Sequence, residues 1–284
     1  MDSKSPHFAL KIVIPSKFRT FSAILFIREV YIYKLPGKTN YIVTQVEVVI
    51  LTANGQPRNS TLIKDLNSRG FKTKIIFGIR PSQVKAKLII PSSRPGLMKR
   101  KLQQTEICAL ITHRRGQEYA NKSPLQCVIV EDDTELGPDF IPDRISRILH
   151  IVSQQTIPII ATFYFDRWTI TSRQLTSGGF YKSLLIPPTG AVCYIPNAKA
   201  LNLMLNSRVD GSLPADWPAV CRQIDFWMYP GDYVRLGKEF ESEVGERNKD
   251  YESISLRDCI TTAFSFPKEF VLYRILYPIF IKLK

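Results

Sequence analysis

Residues 127–135 have the sequence Cys127-Val128-Ile129-Val130-Glu131-Asp132-Asp133-Thr134-Glu135, in which an apolar run leads directly into three carboxylates. A short run of this kind, rich in β-branched residues, is typical of a buried strand. Side chains alternate along a strand, so Glu131 and Asp133 are expected to face one way and Asp132 the other. Converging carboxylates repel one another, and they suit a hard divalent cation that also holds a phosphate. A solvated acidic turn is the alternative.

Patterns typical of strands and helices alternate on both sides of this stretch. Buried strands are predicted at 46–52, 74–77, 157–165 and 191–195, and helices at 58–68, 105–121, 138–150 and 197–205. Thr105 and Asn197 are expected to cap the N-termini of two of these helices. This order of elements predicts an α/β domain with a mostly parallel central sheet and flanking helices.

The composition is that of a globular protein with an excess of basic residues. Of the 284 residues, 44% are hydrophobic and 23% charged, and the formal net charge is +14 at pH 7. Such a charge favours anionic partners, namely nucleotide phosphates, nucleic acid or an anionic membrane surface. The basic residues are dispersed and form no recognisable nucleic-acid-binding motif, so nucleic acid is not the expected partner.

Cysteine usage and hydropathy bear on the compartment. The five cysteines are scattered and form no CxxC pair, which argues against a zinc cluster or a disulfide framework and favours a reducing cytoplasm. The apolar stretch 18–33 is interrupted by Arg28-Glu29 and falls short of the ~20 residues that span a membrane. The tail 264–284 mixes aromatic, aliphatic and basic residues, which suits either packing on the core or peripheral contact with an anionic membrane. We therefore expect a cytoplasmic location, including the inner face of the membrane.

Several side chains elsewhere are candidates for a site around the acidic stretch. Glu106 and His113 are seven residues apart in a predicted helix, so they lie two turns apart on nearly the same face. Arg58 and the basic cluster Lys99-Arg100-Lys101 suit charge-assisted contacts with phosphate. Asp216 lies between two prolines, in a loop that would hold it rigidly. For each of these a structural role, or a solvated loop, is the alternative.

Four segments of the chain carry a combined resemblance. They are Val48-Val49-Ile50-Leu51 with Arg58 after it; Thr105-Glu106-Ile107-Cys108-Ala109-Leu110-Ile111-Thr112-His113; Val128-Ile129-Val130-Glu131-Asp132-Asp133; and Thr189-Gly190-Ala191-Val192-Cys193-Tyr194-Ile195 with Pro214-Ala215-Asp216-Trp217-Pro218 beyond. In this order they resemble glycosyltransferase family 25, which contains bacterial lipooligosaccharide galactosyltransferases and collagen galactosyltransferase domains. The family's Gly–Cys pair is replaced here by Cys108-Ala109.

The resemblance implies a GT-A-like fold and a specific activity. The expected reaction moves a hexose, most often galactose, from a UDP-sugar such as UDP-galactose to a saccharide or glycolipid acceptor, with inversion of configuration. The product would be a lipooligosaccharide or another surface glycan. A divalent metal, Mn2+ or Mg2+, is implied at Glu131 and Asp133, which take the positions of the outer acids of a DxD motif.

The expected mechanism gives each remaining candidate a role. Contacts with the donor are assigned to Arg58, Glu106, His113 and Asp132, and Glu106 and His113 are expected either to orient the donor or to support the acidic strand end. Inversion requires a carboxylate that accepts the proton of the acceptor hydroxyl, and Asp216 is the candidate base. The metal would neutralise the leaving diphosphate.

The catalytic domain is expected to span residues 44–235. It would lie between an N-terminal extension of unknown role, 1–43, and a basic, aromatic C-terminal segment, 236–284. Two other functions remain as alternatives: a catalytically inactive relative that acts as a scaffold, and a basic nucleic-acid-binding protein.

Overall fold

The computed structural model describes residues 45–52, 57–83, 104–164, 175–176, 178–183, 188, 190–207 and 217–237. The chain divides into two compact units, and all of these residues lie in the second, Val43–Lys284. The predicted N-terminal extension and nearly all of the predicted C-terminal segment therefore lie outside the described residues. The same holds for Lys99-Arg100-Lys101 and for Asp216.

Strands and helices alternate along the described chain. The strands are β1 (Val46–Thr52), β2 (Lys72–Phe77), β3 (Gln126–Glu131), β4 (Thr134–Leu136), β5 (Ile159–Thr162), β6 (Tyr181–Lys182), β7 (Cys193–Pro196), β8 (Asp225–Met228) and β9 (Val234–Leu236). The α-helices are α1 (Leu62–Ser68), α2 (Gln104–Lys122), α3 (Pro142–Ser153) and α4 (Ala198–Asn206), and short 3-10 helices cover Pro81–Gln83 and Ala219–Gln223. None of the described helices combines the length and the apolar character that a membrane crossing requires.

Seven of the described strands form one mixed sheet in the order β2-β1-β3-β7-β5-β8-β6. Within it β2, β1, β3, β5 and β8 run in one direction, and β7 and β6 run against them. The predicted α/β architecture with a mostly parallel sheet and flanking helices is present. An antiparallel strand at the centre of the sheet was not predicted. β4 and β9 pair separately as a two-stranded sheet.

Helices cover both faces of the sheet because its central strands are apolar on both sides. Along β1, Val48 and Ile50 join a core with α1 and α3, whereas Val49 and Leu51 join a second core with α4. α2 packs on the second of these faces, against β1, β3 and α4. The helices α1 and α2 therefore lie on opposite faces of the sheet.

Three of the four described helices begin at other residues than predicted. α1 begins at Leu62 rather than at residue 58, because the Asn59 side chain accepts hydrogen bonds from the Thr61 backbone N–H at 3.0 Å and from the Thr61 hydroxyl at 2.9 Å, which shapes a turn. α2 begins at Gln104, so Thr105 lies inside the first turn and is not the N-cap. The difference in α1 arises because a polar side chain beside the helix start shapes a turn. The Thr105 hydroxyl has no hydrogen-bond partner among the described residues, so it caps nothing there.

In the other two helices, hydrogen bonds made by a side chain set the helix start. α4 begins as predicted, because the Asn197 side chain accepts a hydrogen bond from the Ala200 N–H at 2.9 Å. α3 begins at Pro142 rather than at residue 138. The carbonyl groups of Gly137 and Phe140, just before it, accept hydrogen bonds from the Arg69 guanidinium at 2.6 and 3.1 Å, which holds this segment in a turn.

The carboxyl ends of β1 and β3 lie next to each other at a topological switch point. From β1 the chain crosses one face through α1 to β2, and from β2 it crosses the other face through α2 to β3 on the far side of β1. The two strands pair in register, with Leu51 opposite Glu131. Ligands of open α/β sheets bind outside the carboxyl ends of strands at such a point. Both the acidic stretch and the segment after β1 meet there.

Candidate functional site

The acidic stretch forms a turn and does not continue as a strand. β3 ends at Glu131, Asp132 and Asp133 form a turn, and β4 begins at Thr134. Arg58 donates from Nε to Asp132 Oδ1 at 2.8 Å, and its terminal nitrogen lies 2.9 Å from Asp133 Oδ2. The prediction that Asp132 and Asp133 face opposite ways is therefore wrong, because strand geometry ends one residue into the acidic triplet.

Backbone hydrogen bonds bring Arg58 to this turn. The Asn59 N–H donates to the Asp132 carbonyl at 2.9 Å, and Asn59 Nδ2 donates to the Thr134 carbonyl at 2.8 Å. The segment that follows β1 is thus fastened to the loop that follows β3. The Arg58 side chain is 24% exposed and the Asp132 side chain 5%, so the ion pair between them is mostly shielded from water. Charge-assisted pairs of this kind are strong and hold their partners in fixed orientations.

A buried hydrogen-bonded chain holds Glu131 from the side of α2. His113 Nε2 lies 3.0 Å from Glu131 Oε1, and His113 Nδ1 lies 3.2 Å from the Tyr194 hydroxyl. Gln117 Nε2 donates to the same hydroxyl at 3.2 Å. His113, Gln117 and Tyr194 are buried, whereas the Glu131 side chain is 25% exposed. This series of hydrogen bonds therefore runs from the protein core out to the site.

Two glycines allow α2 to lie close enough for these contacts. A Cβ atom at Gly116 would lie 2.5 Å from Leu51 Cδ2, and a Cβ atom at Gly78 would lie 2.0 Å from Thr112 Oγ1. Both separations are shorter than van der Waals contact, so a side chain at either position would push α2 away from the sheet. His113 lies between Thr112 and Gly116 on this helix, and its contact with Glu131 depends on the close approach.

The site holds more negative than positive charge. The Arg58 guanidinium pairs with two carboxylates, those of Asp132 and Asp133, and a third carboxylate, Glu131, lies close enough to Asp133 to repel its charge. The pKa of Asp133 is raised from 3.8 to about 6. Burial is the largest cause, repulsion by Glu131 and Asp132 also raises the pKa, and Arg58 lowers it. Asp133 Oδ1 is buried and has no hydrogen-bond partner among the described residues. A further cation beside Asp133 would relieve both the repulsion and the unpaired oxygen.

The donor atoms at this turn fit a hard divalent cation. Carboxylate oxygens are the ligands that Mg2+ and Mn2+ prefer. Asp133 is held through one oxygen by Arg58, which leaves Oδ1 available, and Glu131 is oriented through Oε1 by His113. In the described part of the chain no group of three or more His, Cys, Asp or Glu side chains is placed to hold a metal ion by itself. Mg2+ commonly uses one or two carboxylates and completes its shell with water and substrate phosphate, so the pair Glu131 and Asp133 suits a metal that arrives with a phosphate ligand.

The structure places the other predicted residues as follows. Glu106 is fully buried in the first turn of α2. It lies two helical turns from His113, about 10 Å along the helix axis. Asp216, the predicted base, lies outside the described residues, and its role stays a prediction. The next residue, Trp217, is buried, donates to the Pro188 carbonyl at 2.8 Å and packs edge-on against Tyr194 with ring centroids 5.0 Å apart.

Tyr194 and Gln117 are the two site residues that sequence reasoning missed. A signal for each was present in the chain. Tyr194 is a tyrosine within an otherwise apolar buried strand, and a buried hydroxyl needs a hydrogen-bond partner. Gln117 follows His113 by four residues and therefore lies on the same face of α2. What the sequence did not show is that β7 places the tyrosine opposite this face.

Comparison with known proteins assigns no family to the chain. No protein-family model and no curated protein sequence matches it. The resemblance to glycosyltransferase family 25 therefore stays a prediction from the four sequence segments that carry it.

Proposed function

We propose that the chain is a glycosyltransferase that moves a hexose from a UDP-sugar to a saccharide or glycolipid acceptor. The observation that carries this proposal is the cluster of carboxylates at the switch point between β1 and β3, where Asp133 retains an unpaired, buried oxygen. Such a cluster suits a cation bound together with a diphosphate. The sequence resemblance favours galactose as the sugar, a GT-A-like fold, and a surface glycan as the product.

The proposal assigns the cation to Glu131 and Asp133. A bound Mn2+ or Mg2+ neutralises charge on a leaving diphosphate. The protein's own contribution is to hold the two carboxylates still: Arg58 fixes Asp133, and His113 fixes Glu131. Partners in the outer shell of a metal site orient its ligands in this manner. Asp132, at the other end of the guanidinium, keeps Arg58 in place for contact with the donor.

Proton transfer is assigned to a different part of the chain. The carboxylates of the acidic turn are engaged by Arg58 and His113 or reserved for the cation, so they are poorly suited to act as the base. Asp216 is the proposed base, which accepts the proton of the acceptor hydroxyl as the oxygen attacks the anomeric carbon. Attack from the face opposite the diphosphate gives inversion.

The test is transfer of radiolabelled galactose from UDP-galactose in the presence of Mn2+. The wild-type protein should release or transfer the label, and Asp133→Ala should abolish this. Asp143→Ala is the matched control, because Asp143 is an exposed carboxylate in the first turn of α3, away from the acidic turn, and its loss should change nothing. Full activity in Asp133→Ala would show that the metal assignment is wrong.

Two other outcomes point to the alternative functions. Binding of UDP-galactose with Mn2+ but without transfer to any acceptor in a panel would favour an inactive relative with a scaffold role. Retention of nucleic acid on filters at physiological salt, with no nucleotide-sugar binding, would favour a nucleic-acid-binding protein. A panel of UDP-sugars in the same assay identifies the donor.

A further inference from the structure

The four side chains Gln117, Tyr194, His113 and Glu131 form a chain in which every hydrogen bond can run in one direction. Gln117 Nε2 donates to the Tyr194 hydroxyl oxygen. The Tyr194 proton is then available for His113 Nδ1, which lies 3.2 Å away. With Nδ1 accepting, a neutral imidazole carries its proton on Nε2, and this N–H points to Glu131 Oε1 at 3.0 Å. With the amide nitrogen of Gln117 facing the hydroxyl, the direction is set at the buried end, because that nitrogen can only donate.

The hydrogen-bonded chain adds side-chain contacts between three elements that already pack together at the site. Gln117 and His113 lie on α2, Tyr194 on β7, and Glu131 at the end of β3. Tyr194 is fully buried and is itself held by the edge of the Trp217 ring. Because Tyr194 is held in place, its hydroxyl restricts the orientation of the His113 ring. Only Glu131, the last member, reaches the surface of the site.

We propose that Gln117 and Tyr194 are positioning residues that fix the tautomer and orientation of His113, so that His113 holds Glu131 ready for a cation and diphosphate. This inference rests on the proposed function for the role of Glu131. The direction of the hydrogen bonds from Gln117 to Glu131 does not depend on the proposed function. A core of the same volume needs no polar groups here, since apolar side chains would fill the space without the cost of burying an amide, a hydroxyl and an imidazole.

The first test uses Tyr194→Phe, which removes one hydroxyl and keeps the ring. We expect the 15N chemical shifts of His113 to move from those of a single Nε2–H tautomer toward a mixture. Affinity for UDP in the presence of Mn2+, measured by calorimetry, should fall by up to about 10-fold, the lower end of the loss expected for a direct partner of a metal ligand, because Tyr194 acts on Glu131 only through His113. In a His113→Leu background the same substitution should have no further effect on affinity, because Tyr194 acts through His113.

Tyr119→Phe is the matched control. Tyr119 lies on α2, the helix that carries His113. Like Tyr194, it gives its hydroxyl proton to a buried group, here Glu47 Oε2 at 2.9 Å. It takes no part in the chain to Glu131. The control should lower stability to a similar degree and leave both the His113 shifts and the UDP affinity as in the wild type.

A second variant covers the case in which Tyr194→Phe does not fold. Gln117→Glu has nearly the same shape and, once its carboxyl group is ionised, presents only acceptors, so in spectra recorded at high pH the Tyr194 proton turns toward residue 117 and His113 Nδ1 must become a donor. Protonation of Nδ1 in the 15N spectrum supports the proposal, and an unprotonated Nδ1 overturns it.

Failure of the inference and failure of the proposed function give different results. If the wild-type protein binds no UDP with Mn2+, the proposed function is wrong, and the spectra alone decide the hydrogen-bond chain. If UDP binds and Tyr194→Phe leaves both spectra and affinity unchanged, the positioning role is wrong while the function stands.

Discussion

Two clusters of buried acid lie at opposite ends of β1 and β3, and they are built differently. At the amino end, Glu47 is 2% exposed and both of its oxygens have partners. Tyr119 and Ser123 donate to Oε2 at 2.9 and 3.1 Å, and Lys72 Nζ lies 3.4 Å from Oε1. One carboxylate therefore faces one ammonium group, two hydroxyl donors and the Cys127 thiol at 3.9 Å, so its single charge is balanced.

At the carboxyl end the balance is different. Asp132 and Asp133 share the Arg58 guanidinium, Glu131 adds a third negative charge beside Asp133, and Asp133 keeps a buried oxygen without a partner among the described residues. Burial and the neighbouring Glu131 raise the pKa of Asp133 to about 6. A buried acid is thus not by itself a sign of function, since Glu47 is buried more deeply than Asp133. The surplus of negative charge distinguishes the acidic turn, because an unpaired buried oxygen alone also occurs at the amino end of β3, at Gln126 Oε1.

The largest expected effect comes from a matched pair of substitutions, Glu131→Gln and Glu47→Gln. Glu131→Gln removes a charge that the proposed cation needs, so kcat/KM for sugar transfer should fall about 1,000-fold, or about 4 kcal/mol of transition-state stabilisation. Glu47→Gln should leave kcat/KM within about twofold, because surface and core changes away from a site act on stability. Transfer of radiolabelled galactose measures both. Equal losses in the two variants would remove the distinction between the clusters.

The next effect is a dependence of stability on pH that belongs to one end only. The folded-state pKa of Asp133 is raised from 3.8 to about 6, so the folded state holds this proton more tightly than the unfolded state does. Its contribution is fully present below pH 3.8 and is lost as the pH rises through about 6, which amounts to about 3 kcal/mol over this interval. Urea unfolding between pH 4 and pH 7 in the presence of a chelator measures the loss.

Asp133→Asn is the control for this pH dependence, because the amide keeps the shape and carries no charge. Its free energy of unfolding should vary less between pH 4 and pH 7 than that of the wild type. Addition of Mn2+ and UDP at pH 7 should restore stability to the wild type and not to the variant. If the free energy of unfolding of the wild type varied as little with pH as that of Asp133→Asn, the pKa of Asp133 would not be raised in the folded state.

Much of the fold was predictable because each pattern depends on local periodicity. The strand Val46–Thr52 and the cap at Asn197 were predicted as observed, since buried β-branched runs and N-cap chemistry are readable from neighbouring residues. The antiparallel direction of β7 was not predictable, because a short apolar run looks the same in either direction. The late start of α1 depends on Asn59, whose bonds to Asp132 and Thr134 span more than 70 positions of sequence.

The site was predictable in composition and less so in arrangement. Glu131, Asp133 and His113 come together as the segments suggested, with His113 bound to Glu131. The partner of Arg58 was not predicted, because the turn after Glu131 brings Asp132 and Asp133 to the same guanidinium. The role of Tyr194 follows from the position of β7 beside β3, a tertiary contact that no spacing in the sequence expresses.

The third effect concerns the stability of the amino end. Glu47→Gln replaces a carboxylate that accepts two hydroxyl protons by an amide that presents one acceptor and one donor group. We expect the free energy of unfolding to fall by about 2 kcal/mol, since a buried donor or acceptor loses its partner. Urea unfolding at pH 7 measures the loss, and Glu131→Gln provides the comparison, because relief of repulsion there offsets its lost hydrogen bond. If Glu131→Gln lowered the free energy of unfolding more than Glu47→Gln does, the carboxyl end rather than the amino end would be the more important for stability.

The smallest expected effect separates charge from hydrogen bonding at Glu47. Lys72 is the only charge that the described residues place against this carboxylate, but its side chain is 53% exposed and the contact measures 3.4 Å. Exposed pairs of this kind contribute about 0.2–1 kcal/mol because water screens them, so Lys72→Met should destabilise by about 0.5 kcal/mol and the loss should shrink further in high salt. Lys74→Met is the matched control on the same strand, where the ammonium lies over the Tyr119 ring at 5.5 Å from its centroid. If Lys72→Met costs as much as Glu47→Gln, charge compensation rather than the hydroxyl donors holds the amino end, and the two ends then differ in degree of charge balance and not in kind.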